Sequence, residues 1–261
     1  MNTPEIKAPT VSLPKGGGAI KSIGETFQPS AFNGTGSFMF PIPLTPARGL
    51  EPELSMTYNS GSGNGPFGIG FTLPLSSVSR KTDTGIPRYD NRDTFVLAGS
   101  DLVVALVKNN TGQWVPDVRT VQEGAVSWTV TVYRPDIETD FSLIEYWNDT
   151  TSGTSFWRVV TPENIEHLYG KNDHARISDP NVPTHIFTWL LESSTDATGN
   201  KVQYRYREEN DDNVPPAIYE QNRSWRANRY IESICYGNYV ADGGNGGSAE
   251  QYAFEVVFDY G

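Results

Sequence analysis

The fourteen residues Tyr58-Asn59-Ser60-Gly61-Ser62-Gly63-Asn64-Gly65-Pro66-Phe67-Gly68-Ile69-Gly70-Phe71 hold five glycines, one proline and two asparagines. Helix interior is excluded there, because each glycine costs about 1 kcal/mol and the proline about 3 kcal/mol relative to alanine. The alternating run Leu54-Ser55-Met56-Thr57-Tyr58 leads into it. The spacing therefore predicts a strand, a tight multi-turn loop and a return to extended chain. The loop is expected to set a fold-determining reversal and to bind no ligand, with its glycines at positive φ. An added Cβ costs about 1–2 kcal/mol at such a site, so Gly65 and Gly68 are expected to resist replacement by alanine.

Alternation recurs along the rest of the chain. Trp128, Val130 and Val132 alternate with Thr129 and Thr131 until Arg134-Pro135-Asp136 breaks the run. Val202, Tyr204 and Tyr206 alternate with Gln203, Arg205 and Arg207, the pattern of a strand with one wet face. The turn before it is legible in Asp196-Ala197-Thr198-Gly199-Asn200, whose Gly and Asn tolerate positive φ. Tyr252, Phe254, Val256, Phe258 and Tyr260 place large residues on one face of a last strand. His185–Leu191 is apolar on both faces and reads as a central strand. Further strands are expected at Thr94–Leu97, Leu102–Val107, Ser142–Trp147, Ser155–Val160 and Tyr230–Tyr236, and helix only around Ile218–Ala227.

Hairpins at intervals of about 8–15 residues predict an all-β fold. It is an antiparallel meander of many short strands forming a curved sheet or shell segment, with under about 15% helix. The loops Glu208–Asn213 and Asp242–Ser248 are too short to link domains. One β domain over 13–261, behind a flexible lead over 1–12, is the expected organisation.

Charge narrows the function classes. Twenty basic residues face 31 acidic ones, a net charge of −11, and no Lys/Arg run exceeds two. Phosphate backbones are repelled, which argues against nucleic acid and anionic membranes as partners. A core of this size needs no disulfide staple. Cys235 is the single cysteine, so an intrachain disulfide is excluded, and its setting in Ile234-Cys235-Tyr236 reads as a small buried apolar residue. Residues 1–10 carry neither the basic start nor the apolar core of a signal peptide. No apolar run reaches the roughly 18 residues of a membrane span. Release without a cleaved signal is expected, from the cytoplasm of the producing cell. The sequons at Asn33, Asn109, Asn148 and Asn222 read as chance in a polar, turn-rich chain.

No constellation reads as an active site. Gly63-Asn64-Gly65-Pro66-Phe67-Gly68 matches the letters of the dinucleotide fingerprint, but that motif needs a helix opening at its glycines; Pro66, Gly70 and Pro74 forbid one. Lys15-Gly16-Gly17-Gly18 lacks the Gly-Lys-Ser/Thr ending of a phosphate loop. His167, His174 and His185 have no nucleophile elbow beside them and no zinc-ligand spacing. His167 is expected on the outer face of a strand, and His185 at the start of the core strand. Glu208–Asn213 offers oxygens without the regular ligand positions of a calcium loop. Glu51-Pro52-Glu53 has the Glu-x-Glu letters of ADP-ribosyltransferases without the strand and arginine they require. Catalytic, cofactor-binding and metal residues are therefore all expected to be none, and no cofactor is expected. The thirteen tyrosines and six tryptophans keep a carbohydrate- or protein-binding β module open as an alternative.

A family resemblance sits beside these readings. Its residues are Leu13-Pro14-Lys15-Gly16-Gly17-Gly18, Pro41-Ile42-Pro43-Leu44 with Arg48-Gly49, Tyr58 to Phe71, and Gly85-Ile86-Pro87-Arg88-Tyr89-Asp90 with Asp93-Thr94-Phe95. They continue through Leu143–Trp147, Phe156-Trp157, Gly170-Lys171, Ala175–Pro180, Trp189–Glu192, Tyr204–Tyr206, Arg229-Tyr230, Tyr236–Asn238 and Val257–Gly261. In that order the chain resembles the amino-terminal domain of the SpvB virulence-protein family and of the B component of insecticidal toxin complexes, with Phe71 where the family carries tryptophan. The resemblance implies an all-β scaffold related to Rhs/YD-repeat shells. It implies a non-catalytic role, as the starting segment of a shell that carries or encloses a C-terminal effector. The implied partners are the remainder of its own chain or a toxin C component, and an A-type translocation component through regions this sequence lacks. It also implies that family members continue beyond the point where this sequence stops, so a fragment or a short stand-alone member is expected.

Overall fold

The computed structural model describes residues 26–29, 34–83, 85–138, 140–212, 214–241 and 249–260. The lead over 1–12, the Leu13–Ile20 stretch and the Asp242–Ser248 loop lie outside them. The chain is 53% strand and 3% helix, with every strand pairing antiparallel, as the alternation predicts. Helical turns among the described residues are two short 3₁₀ turns, Asp173–Ala175 and Ile218–Glu220. The helix expected over Ile218–Ala227 is thus corrected to a single turn. Pro215 and Pro216 lead into that segment, and it carries no buried residue in the turn to anchor further helix.

The first strands, β1 (Thr26–Pro29), β2 (Gly36–Pro41), β3 (Ser55–Asn59) and β6 (Phe71–Thr72), form a four-stranded sheet. The two-residue strands β4 (Asn64–Gly65) and β5 (Gly68–Ile69) pair within the glycine loop. Next come β7 (Ser77–Arg80), β8 (Phe95–Leu97) and β9 (Ser100–Val104), then the small hairpin of β10 (Leu106–Lys108) and β11 (Trp114–Pro116). The meander continues through β12 (Val118–Glu123), β13 (Val126–Pro135), β14 (Leu143–Asp149), β15 (Ser155–Val160) and β16 (Glu166–Tyr169). After β17 (Arg176–Asp179) the chain makes its longest strand, β18 (Val182–Thr195), followed by β19 (Lys201–Glu208), β20 (Arg229–Ala241) and β21 (Ala249–Val257).

Eight of these strands close on themselves. The order β16-β15-β14-β13-β9-β8-β7-β18 is completed by pairing of β16 with β18, giving a barrel-like ring. Closure removes sheet edges, and β18 is where it happens. Thr188–Leu190 of β18 pairs with β7, and Leu191–Thr195 pairs with β16. Further along, Ser193–Thr195 also pairs with β19, which launches β20 and β21 as a three-stranded wing. His185–Leu191 is therefore the central strand segment the sequence predicts, paired on both sides, and β18 extends past it to Ser193–Thr195, where the wing begins.

The ring interior is aromatic. Trp157 and Trp189 are fully buried, and Phe95 lies 4.9 Å and 5.8 Å from their ring centres. Tyr133 and Tyr146 complete the cluster, edge-on or tilted to Trp157, geometry that adds about 0.5–1.5 kcal/mol per pair beyond area burial. Gly170 is obligatory here: its φ is +62°, and a Cβ would sit 2.6 Å from Trp189 Cδ1. Burial raises the Tyr133 phenol to about 12, as expected for a hydroxyl among rings.

The wing alternates as predicted: Val202, Tyr204 and Tyr206 are buried while Arg205 and Arg207 are exposed. Ile42, Leu44, Ala47 and Leu50 pack onto the core, and Tyr236 donates its hydroxyl proton to the Thr45 carbonyl at 3.1 Å. The early part of the chain thus covers one side of its last strands. The strand expected over Leu102–Val107 is interrupted at Ala105. That buried residue donates to Val132 O and accepts from Asp117 N, and the chain leaves the ring there as the β10–β11 hairpin.

Candidate functional site

The glycine loop opens no helix; Phe71–Thr72 follows it as strand. Phe67 at its tip stacks on Tyr260 at 5.6 Å and contacts Phe258 at 6.1 Å, pinning the loop to the end of the wing. Positive φ is confined to Gly68 (+97°) and Gly70 (+81°) among its five glycines, which corrects the expectation for Gly61, Gly63 and Gly65. At Gly65 a Cβ meets Phe71 O at 3.1 Å, and at Gly68 it meets open space. Gly70 is the constrained position, because its Cβ would lie 2.6 Å from Tyr58 Cε2 and 2.8 Å from Asn59 O. Gly70→Ala is therefore expected to lose about 2–4 kcal/mol from the backbone and clash contributions together. Gly68→Ala should lose about 1–2 kcal/mol, and Gly65→Ala less. Urea denaturation of the three variants checks the order; equal midpoints would refute it.

The histidines sit on separate elements. His174 is exposed on the 3₁₀ turn, 3.7 Å from Asp173, and His185 stacks on Tyr89 at 4.3 Å. His167 is not on the outer face as expected. It shares a cavity of about 270 Å³ with Leu102, Ile144 and Tyr169 at one mouth of the ring, and its Nδ1 lies 2.8 Å from Ser194 Oγ. The period-2 reading assigned the wrong face, because Tyr169, two residues on, is core. Burial holds the His167 imidazole below its usual value. The unfolded chain binds a proton near pH 6.5 that the folded state resists, so stability falls as pH drops from about 6.5 toward the lowered folded value. His167→Gln should flatten that part of the stability–pH profile; an unchanged slope would remove His167 as its source.

Glu51 accepts the Ala47 amide at 2.7 Å and Glu53 is exposed. The acidic loop is tied to arginines. Glu208 pairs with Arg229 at 3.1 Å, and Glu209 pairs with Arg223 and accepts the Tyr230 hydroxyl at 3.0 Å. Among the described residues no group of three or more His, Cys, Asp or Glu is placed to hold a metal ion. Cys235 is buried, and burial raises its thiol, which lowers its reactivity.

Two charged constellations were not legible in the sequence. Arg80, 6% exposed, pairs with Asp93 at 2.7 Å and lies over the rings of Tyr89, Phe95 and Trp189 at 5.1–5.4 Å, filling one end of the ring. On the outer face, fully buried Glu145 accepts from Arg119, from Arg158 at 3.1 Å and from Trp147 Nε1 at 3.1 Å. Against the cost of burial, these donors hold its carboxyl below the usual value. Only the non-local register of β12 to β16 assembles this group.

The feature best placed for assembly is the open edge at β21. Among the described residues β20 is its only partner strand. Phe258 N–H donates to Glu232 O at 2.9 Å. By the alternation of an antiparallel ladder, the even-numbered residues of β21 face β20. Gln251, Ala253, Glu255 and Val257 then turn their N–H and C=O groups outward. Of the devices that usually blunt an edge, the strand has no Lys, Arg or Pro and no register shift; its charges are Glu250 and Glu255, which lie 3.3 Å from Lys201 and 3.7 Å from Arg205. Val257 is 66% exposed at its end.

Comparison with known proteins agrees with this architecture. The family described as "Salmonella virulence plasmid 65kDa B protein" matches residues 30–261. A mono(ADP-ribosyl)transferase SpvB from Salmonella choleraesuis is 37% identical over 259 residues, covering 96% of this chain and 42% of the relative. The chain thus spans about two-fifths of the length of the curated relatives it matches. Among solved structures, the N-terminal domain of effector protein SpvB from Salmonella typhimurium superposes with a TM-score of 0.75 at 35% identity, covering 85% of this chain and 71% of that one. The Photorhabdus luminescens Tc holotoxin pore matches with a TM-score of 0.79 at 37% identity, covering 98% of this chain and 12% of that one. A complex of TcdB2 and TccC3 matches with a TM-score of 0.78 at 36% identity, covering 97% and 12%. An all-β fold of this ring-and-wing form, with this match over most of its length, defines a bacterial toxin and virulence domain. The chain belongs to the SpvB family.

Proposed function

We propose that this domain is a non-catalytic scaffold: the starting wall segment of a toxin-delivery shell that carries or encloses a C-terminal effector. The observation that carries the proposal is the β21 edge, which among the described residues is paired on one side only, in a domain that matches toxin-complex structures at 36–37% identity. A strand from the remainder of its own chain, or from a toxin C component, continues the sheet there, and main-chain hydrogen bonds supply the affinity. An A-type translocation component engages the assembled shell through other regions. The net charge of −11 suits a secreted capsule that does not adhere to nucleic acid, released by a non-classical route.

Hydrogen exchange tests this directly. In the 261-residue chain alone, the amides of Gln251, Ala253, Glu255 and Val257 are expected to exchange quickly. In a longer chain or with a C component bound, they should slow by at least about tenfold, while even-numbered neighbours change little. Unchanged edge amides in the assembled particle would falsify the wall-segment role. A second reading, a carbohydrate-binding module, rests on Trp114, which is 64% exposed with Lys108 over its ring at 5.2 Å. Saturable glycan binding lost in Trp114→Ala would favour it.

A further inference from the structure

Where β19 leaves β18, a cavity of about 350 Å³ opens between the 3₁₀ turn and the wing. Pairing between these strands is confined to Ser193–Thr195 with Lys201–Gln203, so the chains diverge beyond it. Glu192 lines the cavity and is 7% exposed. One carboxylate oxygen accepts the Asn172 backbone N–H at 2.8 Å and the other accepts the Asn172 side-chain amide.

Among the described residues the Glu192 carboxylate has no cationic side chain in contact. Glu192 takes part in none of the ion pairs among the described residues. Arg176 is near enough for the two charges to interact, yet its guanidinium donates to the carbonyls of Gly170 and Lys171, each at 2.6 Å. Arg205, which also lines the cavity, lies 3.7 Å from Glu255 and is half exposed. Buried carboxylates are ordinarily paired with a cation or a metal. Of the other lining residues, the Glu232 carboxylate, the Gln203 side chain and the aromatic Tyr204 and Tyr206 suit an organic cation, while His174 and Arg205 do not. Tyrosine faces attract cations, and a planar guanidinium matches a carboxylate with two donors. The volume falls at the small end of ligand pockets, enough for one side chain.

We propose that this cavity is a binding site for an organic cation, a guanidinium or alkylammonium group seated between Glu192 and Glu232. The site is independent of the β21 edge and of the scaffold reading. The group belongs either to a free small molecule or to a lysine or arginine side chain presented by another protein segment.

Calorimetric and NMR titration of the 261-residue chain with Nα-acetyl-arginine amide tests it, with Nα-acetyl-citrulline amide as the neutral isostere. Saturable binding of the arginine probe is expected, with shifts at the Asn172 amides and at least tenfold weaker binding of citrulline. Glu192→Gln should abolish binding. Because that change also disturbs the Asn172 contacts, Glu232→Gln at an exposed position is the second variant, expected to weaken binding several-fold with an unchanged fold. Arg205→Gln should leave affinity equal or tighter. Binding of an arginine-containing peptide much more tightly than the amide would assign the cation to a protein segment; equal affinities would assign it to a small molecule. Equal binding of citrulline, no saturable binding of arginine, or full affinity in Glu232→Gln would overturn the site.

Discussion

Asp93→Ala is expected to cost about 3–5 kcal/mol, the usual consequence of leaving one member of a buried ion pair alone. At this chain length that lowers Tm by roughly 6–20 °C. Asp93 does more than neutralise Arg80. Its carboxylate accepts the Arg88 N–H at 2.9 Å and the Tyr89 N–H at 2.7 Å, so it also shapes the loop that brings Tyr89 onto His185. Arg80 would keep one bond, from Nε to Ile186 O at 2.8 Å, with its charge held among three aromatic rings. The double variant Arg80→Met/Asp93→Ala should regain part of the loss, because an apolar side chain fits that end of the ring without an unpaired charge. Denaturant midpoints for the two single variants and the double check this. A midpoint for Asp93→Ala within about 1 kcal/mol of the parent would show that the ring end is solvated and that the pair is not structural.

The elements legible in the sequence are those fixed by neighbours along the chain. Ser155–Val160 is a strand over the expected residues, and the last strand shows its predicted one-sided pattern from Tyr252 to Val256, with Phe258 and Tyr260 keeping the face beyond the strand's end. Leu102–Val107 misled because a continuous apolar run carries no period, so nothing local marks Ala105 as the point where the chain leaves the sheet. The ring was not legible. Its closing contact joins Glu166–Tyr169 to Leu191–Thr195, and the local pattern of β16 is equally consistent with an open sheet. His167 shows the cost of that gap: a strand assigned to an open sheet has its wet and dry faces guessed, and closure decides them.

The candidate edge was partly legible. Large residues on alternate positions mark Tyr252–Tyr260 as a strand with one covered face, but which of its backbone groups face outward depends on the bond between Phe258 and Glu232. Glu192 was invisible as a site residue. In sequence it sits beside Trp189-Leu190-Leu191 as one more strand position, and its lack of a direct ion pair appears only when the Arg176 guanidinium is seen to turn toward backbone carbonyls.

Trp189→Ala is the second large effect, and its reach distinguishes a hub from an ordinary core position. The indole is fully buried, and its Nε1–H donates to Ser155 O at 2.9 Å. Truncation is expected to cost about 3–5 kcal/mol from lost contacts and the cavity left behind, and it leaves a buried carbonyl without its donor. Trp189 pairs with Val78 of β7 on one side and Arg176 of β17 on the other. Four residues further along, β18 holds the wing through Ser193–Thr195. Loosening Trp189 should therefore speed amide exchange in β7 and β16, and also in β19, which makes no ring contact with the indole. The control is Phe156→Ala, in the separate outer cluster with Val130 and Trp147. It should cost a similar amount but leave β19 protected. If Trp189→Ala frees the ring strands while β19 exchanges as in the parent, ring and wing are independent units, and the wing edge is held by the early chain segment over it instead of by β18.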